Sequence, residues 1–147
     1  MNNAMRKPAR TLLMGIMLLF AAMPQQANAQ SGGKGQGTVY LIRRTGVMGA
    51  LDGYSIFMDG QRICVLNNKK YSVHQVPAGE HRFNVRFDGK TEKANKEPLV
   101  LQIEVGREYY INVLQREGFT SKVTLQELAG SSGKRALEDV SRDDSCR

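Results

Sequence analysis

The stretch from Tyr54 to Phe87, YSIFMDGQRICVLNNKKYSVHQVPAGEHRFNVRF, constrains the fold more than any other part of the chain. Its apolar residues fall at alternate positions in short runs, the period of a strand with one covered face, and each run ends in residues that bend the backbone. Asp59-Gly60 is a two-residue hairpin signal, because both positions of such a turn take positive φ. That turn sets Met58 against Gln61, Phe57 against Arg62, Ile56 against Ile63 and Tyr54 against Val65, leaving Ser55 and Cys64 on the more polar face. Asn67-Asn68-Lys69 supplies the next turn, since asparagine tolerates the left-handed conformation. Pro77-Ala78-Gly79 closes a second predicted hairpin, with proline fixing the first turn position and glycine free at the last. It places Val73 opposite Phe83 and Tyr71 opposite Val85. From Glu80 to Asp88 the alternation is unbroken, with His81, Phe83, Val85 and Phe87 on one face and Arg82, Asn84, Arg86 and Asp88 on the other.

The flanking segments repeat the pattern. Thr38 to Arg44 is a β-rich run with both faces apolar. Leu99, Leu101, Ile103 and Val105 line one face of a strand, and a loop at Gly106-Arg107-Glu108 pairs them with Tyr109, Ile111 and Val113 in a third hairpin. Lys122 to Leu128 forms a last strand whose Val123 and Leu125 face Val113 and Ile111. Beyond Ala129, Ala136, Leu137 and Val140 fit one face of a short helix, with Arg142 to Arg147 as a polar, mobile tail. The predicted class is all-β: an antiparallel two-sheet β-sandwich of about seven to eight strands, with a short C-terminal helix or tail.

The N-terminus reads as an address. Arg6, Lys7 and Arg10 precede an apolar run from Thr11 to Met23, and Ala27-Asn28-Ala29 is a small-x-small cleavage site, so residues 1–29 read as a secretory signal peptide. The apolar run is too short for a membrane span, and no transmembrane anchor is expected once the signal is removed. Residues 30–37 are a glycine-rich flexible leader, residues 38–128 the sandwich, and residues 129–147 the tail. Without the signal, 18 basic residues face 14 acidic ones, a net charge of +4. That mild excess suits anionic polymers or headgroups of a cell envelope. Nucleic acid is disfavoured, because no Lys/Arg run carries interleaved aromatics. The expected location is a bacterial periplasm or the exterior.

The order of turns and strands, with MDGQ at 58–61, VPAGEH at 76–81, EVGREYYINV at 104–113, LQEL at 125–128 and GKRALEDV at 133–140, resembles an uncharacterised family of exported bacterial proteins known only as a domain of unknown function. Many of its members look like lipoproteins. The hairpin core also resembles the PEGA-type sandwich modules of bacterial envelope proteins. These resemblances imply a β-sandwich in the envelope and carry over no catalytic residue. Gln30, not a cysteine, stands directly after the cleavage site, so acylation there is not expected.

Chemistry-bearing residues are few. In the predicted register His81 faces inward with Phe83 and His74 faces outward opposite Arg82, so the two histidines do not form a metal site. No histidine faces Cys64, no catalytic residue is assigned, and no cofactor is expected. The two cysteines, Cys64 and Cys146, leave three arrangements open: a bridge to each other, two free thiols, or an intermolecular bridge. The candidate partner surface is an outward face formed by Arg82, Arg86, His74 and Ser72, which suits phosphate or carboxylate. A second candidate is the apolar part of the glycine loop, Val47, Met48 and Leu51. The expectation is a non-enzymatic envelope module binding a protein or an anionic polymer. The alternative is a hydrolase or thiol-dependent enzyme whose site is assembled across loops.

Overall fold

Two sheets divide the strands in an order that the chain does not follow. The computed structural model describes residues 35–46, 53–87, 97–116 and 122–146. The expected signal peptide, most of the expected leader, and Val47, Met48 and Leu51 lie outside the described residues. The elements are β1 (Gln36–Arg43), β2 (Tyr54–Met58), β3 (Gln61–Leu66), β4 (Lys70–Pro77), β5 (Gly79–Phe87), β6 (Leu99–Ile103), β7 (Glu108–Arg116), β8 (Lys122–Leu128), α1 (Gly130–Glu138) and β9 (Ser141–Arg142). One sheet has the order β8-β7-β1-β4-β9 and the other β3-β2-β5-β6. The two-sheet sandwich with a short C-terminal helix is as the alternation predicts. Its connections differ.

Asp59 and Gly60 both have positive φ (51° and 82°), and Met58 pairs with Gln61 across them, as the turn chemistry requires. The register then slips. After Phe57 pairs with Arg62, Ile56 pairs with Cys64 and Tyr54 with Leu66, so Ile63 is the extra residue of a bulge. One inserted residue inverts the faces beyond it, and Cys64 turns from the polar side into the core. In the next turn the left-handed residue is Lys69, with φ 53°, and Asn68 serves it through its side chain, whose Oδ1 accepts the Lys69 amide at 2.9 Å.

Neither the second nor the third predicted hairpin forms. β4 pairs antiparallel with β1, and β5 pairs with β2 and β6, so Pro77-Ala78-Gly79 is a corner at which the chain changes sheets. Gly79 takes its positive φ (143°) to make that corner. β6 and β7 likewise belong to different sheets, with Gly106 (φ 74°) at the crossing; β7 runs parallel to β1 and antiparallel to β8. The apolar residues that the sequence sets opposite one another in hairpins belong instead to two sheets. Leu101 and Ile103 come from one and Ile111 and Val113 from the other, and all join the same core. Tyr109 braces the crossing: its hydroxyl donates to the Gln102 carbonyl at 2.8 Å and accepts the Glu104 amide at 2.9 Å.

The core between the sheets is built from Val39, Leu41, Ile56, Leu66, Phe83, Ile103 and Ile111, all with 0–1% exposure. One charge joins them. Arg43 lies with its guanidinium carbon 3.6 Å from the Tyr54 ring centroid, while Nη1 donates to the Leu66 carbonyl at 2.8 Å.

The outer face of the five-stranded sheet is covered by α1, through Ala136, Leu137 and the following Val140 against Ile42, Tyr40, Tyr71 and Tyr110. Nine residues with no side-chain cap at the N-terminus make a marginal helix, so its stability comes from this packing. Gly133 is the contact point: a Cβ there would overlap the Tyr110 ring. The tail expected to be mobile is tied down, because β9 pairs in parallel with β4 at Lys70 and Tyr71 and Cys146 is buried.

Glu108 fixes the same region electrostatically. Tyr40 and Tyr110 stack at 4.8 Å between centroids, and their hydroxyls donate to Glu108 Oε1 and Oε2 at 3.2 and 2.8 Å. The Tyr110 hydrogen bond, with that of Tyr40 and the charge of Lys134, holds Glu108 below the usual carboxylate range. Burial, and then the hydrogen bond to Glu108 and its charge, push Tyr110 up; Tyr40 rises for the same reasons. A depressed carboxyl stabilises the fold above its unfolded pKa and loses that contribution on acidification, whereas a raised tyrosine contributes below its unfolded pKa and loses it on alkalinisation. Stability therefore falls below about pH 4 and again above about pH 10. Glu108→Gln is expected to lessen the acid limb and part of the alkaline limb, whose remainder comes from burial of the two tyrosines, when urea midpoints are measured across pH.

Candidate functional site

The alternation of β5 sends Arg82, Asn84 and Arg86 outward from the four-stranded sheet, and pairing assembles a face around them. Ser55 lies beside Arg86, Phe57 beside Asn84, and Val100 beside Arg82. On the far side of β2, Val65 flanks Ser55 and Arg62 flanks Phe57. The result is an outer face that carries three arginines and one aromatic ring. The Arg86 guanidinium carbon sits 4.7 Å from the Phe57 centroid. Arg82 and Arg86, four positions apart on one strand, are separated by about 13 Å along the sheet.

The charge is uneven across this face. At the Arg82 end, Asp59 Oδ1 accepts the Arg82 amide at 2.9 Å, and Glu80 lies one outward position away. Burial alone would raise the Asp59 carboxyl, but the Arg82 amide, His81 and the Arg82 charge outweigh it and hold the group low. At the other end, Arg62 and Arg86 share the rows of Phe57 and Ser55, and among the described residues no acidic side chain stands in those rows. Asn84 Oδ1 and Arg86 Nε are shielded from solvent and have no hydrogen-bond partner among the described residues. Two polar atoms in that condition, beside an aromatic ring, are an incomplete set of contacts.

The face expected from the sequence is not one face. Arg82 and Arg86 are on it, but Ser72 and His74 belong to the other sheet, on the inner side of β4, where they pair with Leu41 and Val39. The cause is the absent β4–β5 hairpin: without that pairing, alternation in β4 carries no information about faces in β5. Ser72 is fully buried, and burial pushes the His74 imidazole down. Arg62 is the residue that the expected site lacked, although the Asp59-Gly60 turn had already put it opposite Phe57.

Cys64 and Cys146 form a disulfide with their Cα atoms 5.0 Å apart. Ser72 Oγ lies 3.6 Å from Cys64 Sγ and 3.0 Å from His74 Nε2, so a histidine does stand near the cysteine, through one hydroxyl. The bulge at Ile63 creates this neighbourhood. His81 is a rim residue at the corner, its Nδ1 2.7 Å from Asp59 Oδ2 and its Nε2 2.9 Å from the Pro77 carbonyl. The two histidines sit on strands of different sheets, and among the described residues no three His, Cys, Asp or Glu side chains converge to hold a metal ion. No helix among the described residues is long and apolar enough to cross a membrane.

Fold and surface together define a mostly β protein of two packed sheets with a basic outer face and a disulfide-tied tail. A family model described as a protein of unknown function (DUF2846) matches residues 33–126, and the chain belongs to that family. No curated protein and no solved structure matches it.

Proposed function

We propose that the protein is a non-enzymatic module exported to a bacterial cell envelope, where the outer face of the four-stranded sheet binds an anionic polymer. The observation that carries this reading is the grouping of Arg62, Arg82 and Arg86 on one face with Phe57, with Asn84 Oδ1 and Arg86 Nε lacking partners among the described residues. Arginine suits the role because its planar fork donates two parallel hydrogen bonds to a phosphate or carboxylate, and the apolar ring beside it lowers the local dielectric. Arg62, Arg82 and Val100 are exposed and Phe57, Asn84 and Arg86 half-buried, which fits the binding of an extended chain of repeating charges along the strands. The export pattern of residues 1–29 and a disulfide both suit an oxidising compartment outside the cytoplasm.

The test uses two defined polyanions, polygalacturonate for carboxylate and polyphosphate for phosphate, with isolated envelope material as the natural mixture. Arg62→Glu combined with Arg82→Glu changes two exposed side chains and is expected to weaken association more than about tenfold at low ionic strength, with unchanged unfolding midpoint. Added salt reproduces part of that loss in the unmodified protein. Retention on envelope material that survives both the double substitution and salt would sink the polymer reading and point to a protein partner.

A further inference from the structure

A sandwich interior has little room for a hydroxyl and an imidazole, yet both stand beside the disulfide. Ser72 Oγ is 3.6 Å from Cys64 Sγ, and His74 Nε2 is 3.0 Å from Ser72 Oγ. A disulfide sulfur carries no proton, so in the first contact Ser72 is the donor. The serine oxygen then accepts from Nε2, which places the proton of the neutral imidazole on that nitrogen. The relay thus runs in one direction, from His74 through Ser72 to the Cys64 sulfur. Among the described residues no hydroxyl or imidazole makes a comparable contact with Cys146.

Beyond Val140, what ties the tail down apart from the disulfide is short and exposed. β9 contributes two residue pairs, Lys70 with Ser141 and Tyr71 with Arg142, and both of its residues are exposed. Two backbone bonds support it, from Ser141 N–H to the Lys69 carbonyl at 3.2 Å and from Asp143 N–H to the Tyr71 carbonyl at 2.8 Å. Short exposed ladders of this kind open at low free energy, so Cys146 becomes reachable by local fraying, while Cys64 stays in the core on a strand paired along its length with β2.

We propose that Cys64–Cys146 is a redox-active bond, opened by a dithiol reductant that attacks Cys146, with Cys64 as the leaving thiolate held by the Ser72–His74 relay. One thiolate of the reductant bonds to Cys146 Sγ, the bond between the cysteines breaks, and its electron pair goes to Cys64 Sγ, which accepts the Ser72 hydrogen bond. The second thiol, as thiolate, attacks the reductant sulfur of the mixed disulfide, and Cys146 leaves as thiolate. The dithiol ends as a disulfide, two electrons have passed to the protein, and the two protons given up by the dithiol go to the cysteines or to solvent. Exchange is faster when the leaving sulfur is stabilised as thiolate, which is the service the relay performs. Opening frees the tail from β4.

The experiment traps the first step. Oxidised full-length chain is treated with glutathione, a monothiol that cannot complete the second step, quenched with an alkylating reagent and mapped by peptide mass. The adduct is expected on Cys146 in at least about tenfold excess over Cys64, and an equal or reversed distribution overturns the proposal. With dithiothreitol as reductant, Ser72→Ala is expected to slow reduction about tenfold, the worth of one hydrogen bond to a charged group, and Ser72→Thr to restore it. His74→Gln, which keeps a donor, retains the rate and His74→Leu does not. A purely structural role would leave the adduct position random and the rates tied to each variant's unfolding midpoint, and that result also overturns it.

Discussion

Cys146→Ala is expected to lower the free energy of unfolding by about 4 to 5 kcal/mol. The bond joins residues 82 positions apart, so without it the unfolded ensemble regains the entropy of a long loop. The same loop spans β4 through α1, which means that most of the five-stranded sheet lies inside it. Urea titration of the variant beside oxidised and reduced wild type is the measurement. The variant and the reduced wild type should agree within about 1 kcal/mol, because both lose the cross-link, whereas Cys64→Ala adds a cavity in the core and falls further. A loss below about 1 kcal/mol for Cys146→Ala would mean that the bond does not constrain the unfolded chain.

Phe83→Ala is expected to cost about 3 to 5 kcal/mol, as for other fully buried aromatics. Phe83 has no exposed surface, and its strand neighbours Met58 and Leu99 join the same core. On the same strand Arg82 is exposed, and substitution there is expected to move the urea midpoint by no more than about 0.5 kcal/mol equivalent. The pair separates the two faces of β5: one residue decides whether the sheets hold together, and its neighbour decides only what the outside presents. A Phe83 variant that loses less than about 1 kcal/mol would contradict the packing.

These expectations show what the residues disclose on their own. The alternation from Glu80 to Phe87 identifies both faces of β5 correctly, since a strand's two faces follow from its period and need no knowledge of its neighbours. The Asp59-Gly60 turn is equally legible, because only a narrow set of residues accepts positive φ at two successive positions. Pairing across Pro77-Ala78-Gly79 and Gly106 was not legible. The same glycine and proline chemistry that closes a hairpin also turns a corner between sheets, and the difference lies in which distant strand is waiting. Tyr71 illustrates the ambiguity: its side chain belongs to the cluster under α1, so an apolar residue at that position marks an outer face. The Ile63 bulge was invisible for a related reason, since Ile63 and Cys64 are both acceptable in a core and nothing local decides between them. Part of the basic face could therefore be read from β5 alone, while the company of Ser72 and His74 depended on a hairpin that does not exist.

The parallel pairing of β1 with β7 also sets the order in which the molecule can assemble. Val39 lies against Tyr109, 70 positions later, and β1 is interior to its sheet, flanked by β4 and β7. Strands made early thus wait for strands made late, and the closure entropy of each long connection is spent before its contacts form. A topology of this kind folds on the millisecond to second scale. A chain leaving a ribosome or a translocation channel would present β1 with one edge unpaired, even after β4 had joined the other, until residues 108–116 had emerged, so the interval before β7 arrives is when the chain is most exposed to aggregation and most open to a chaperone.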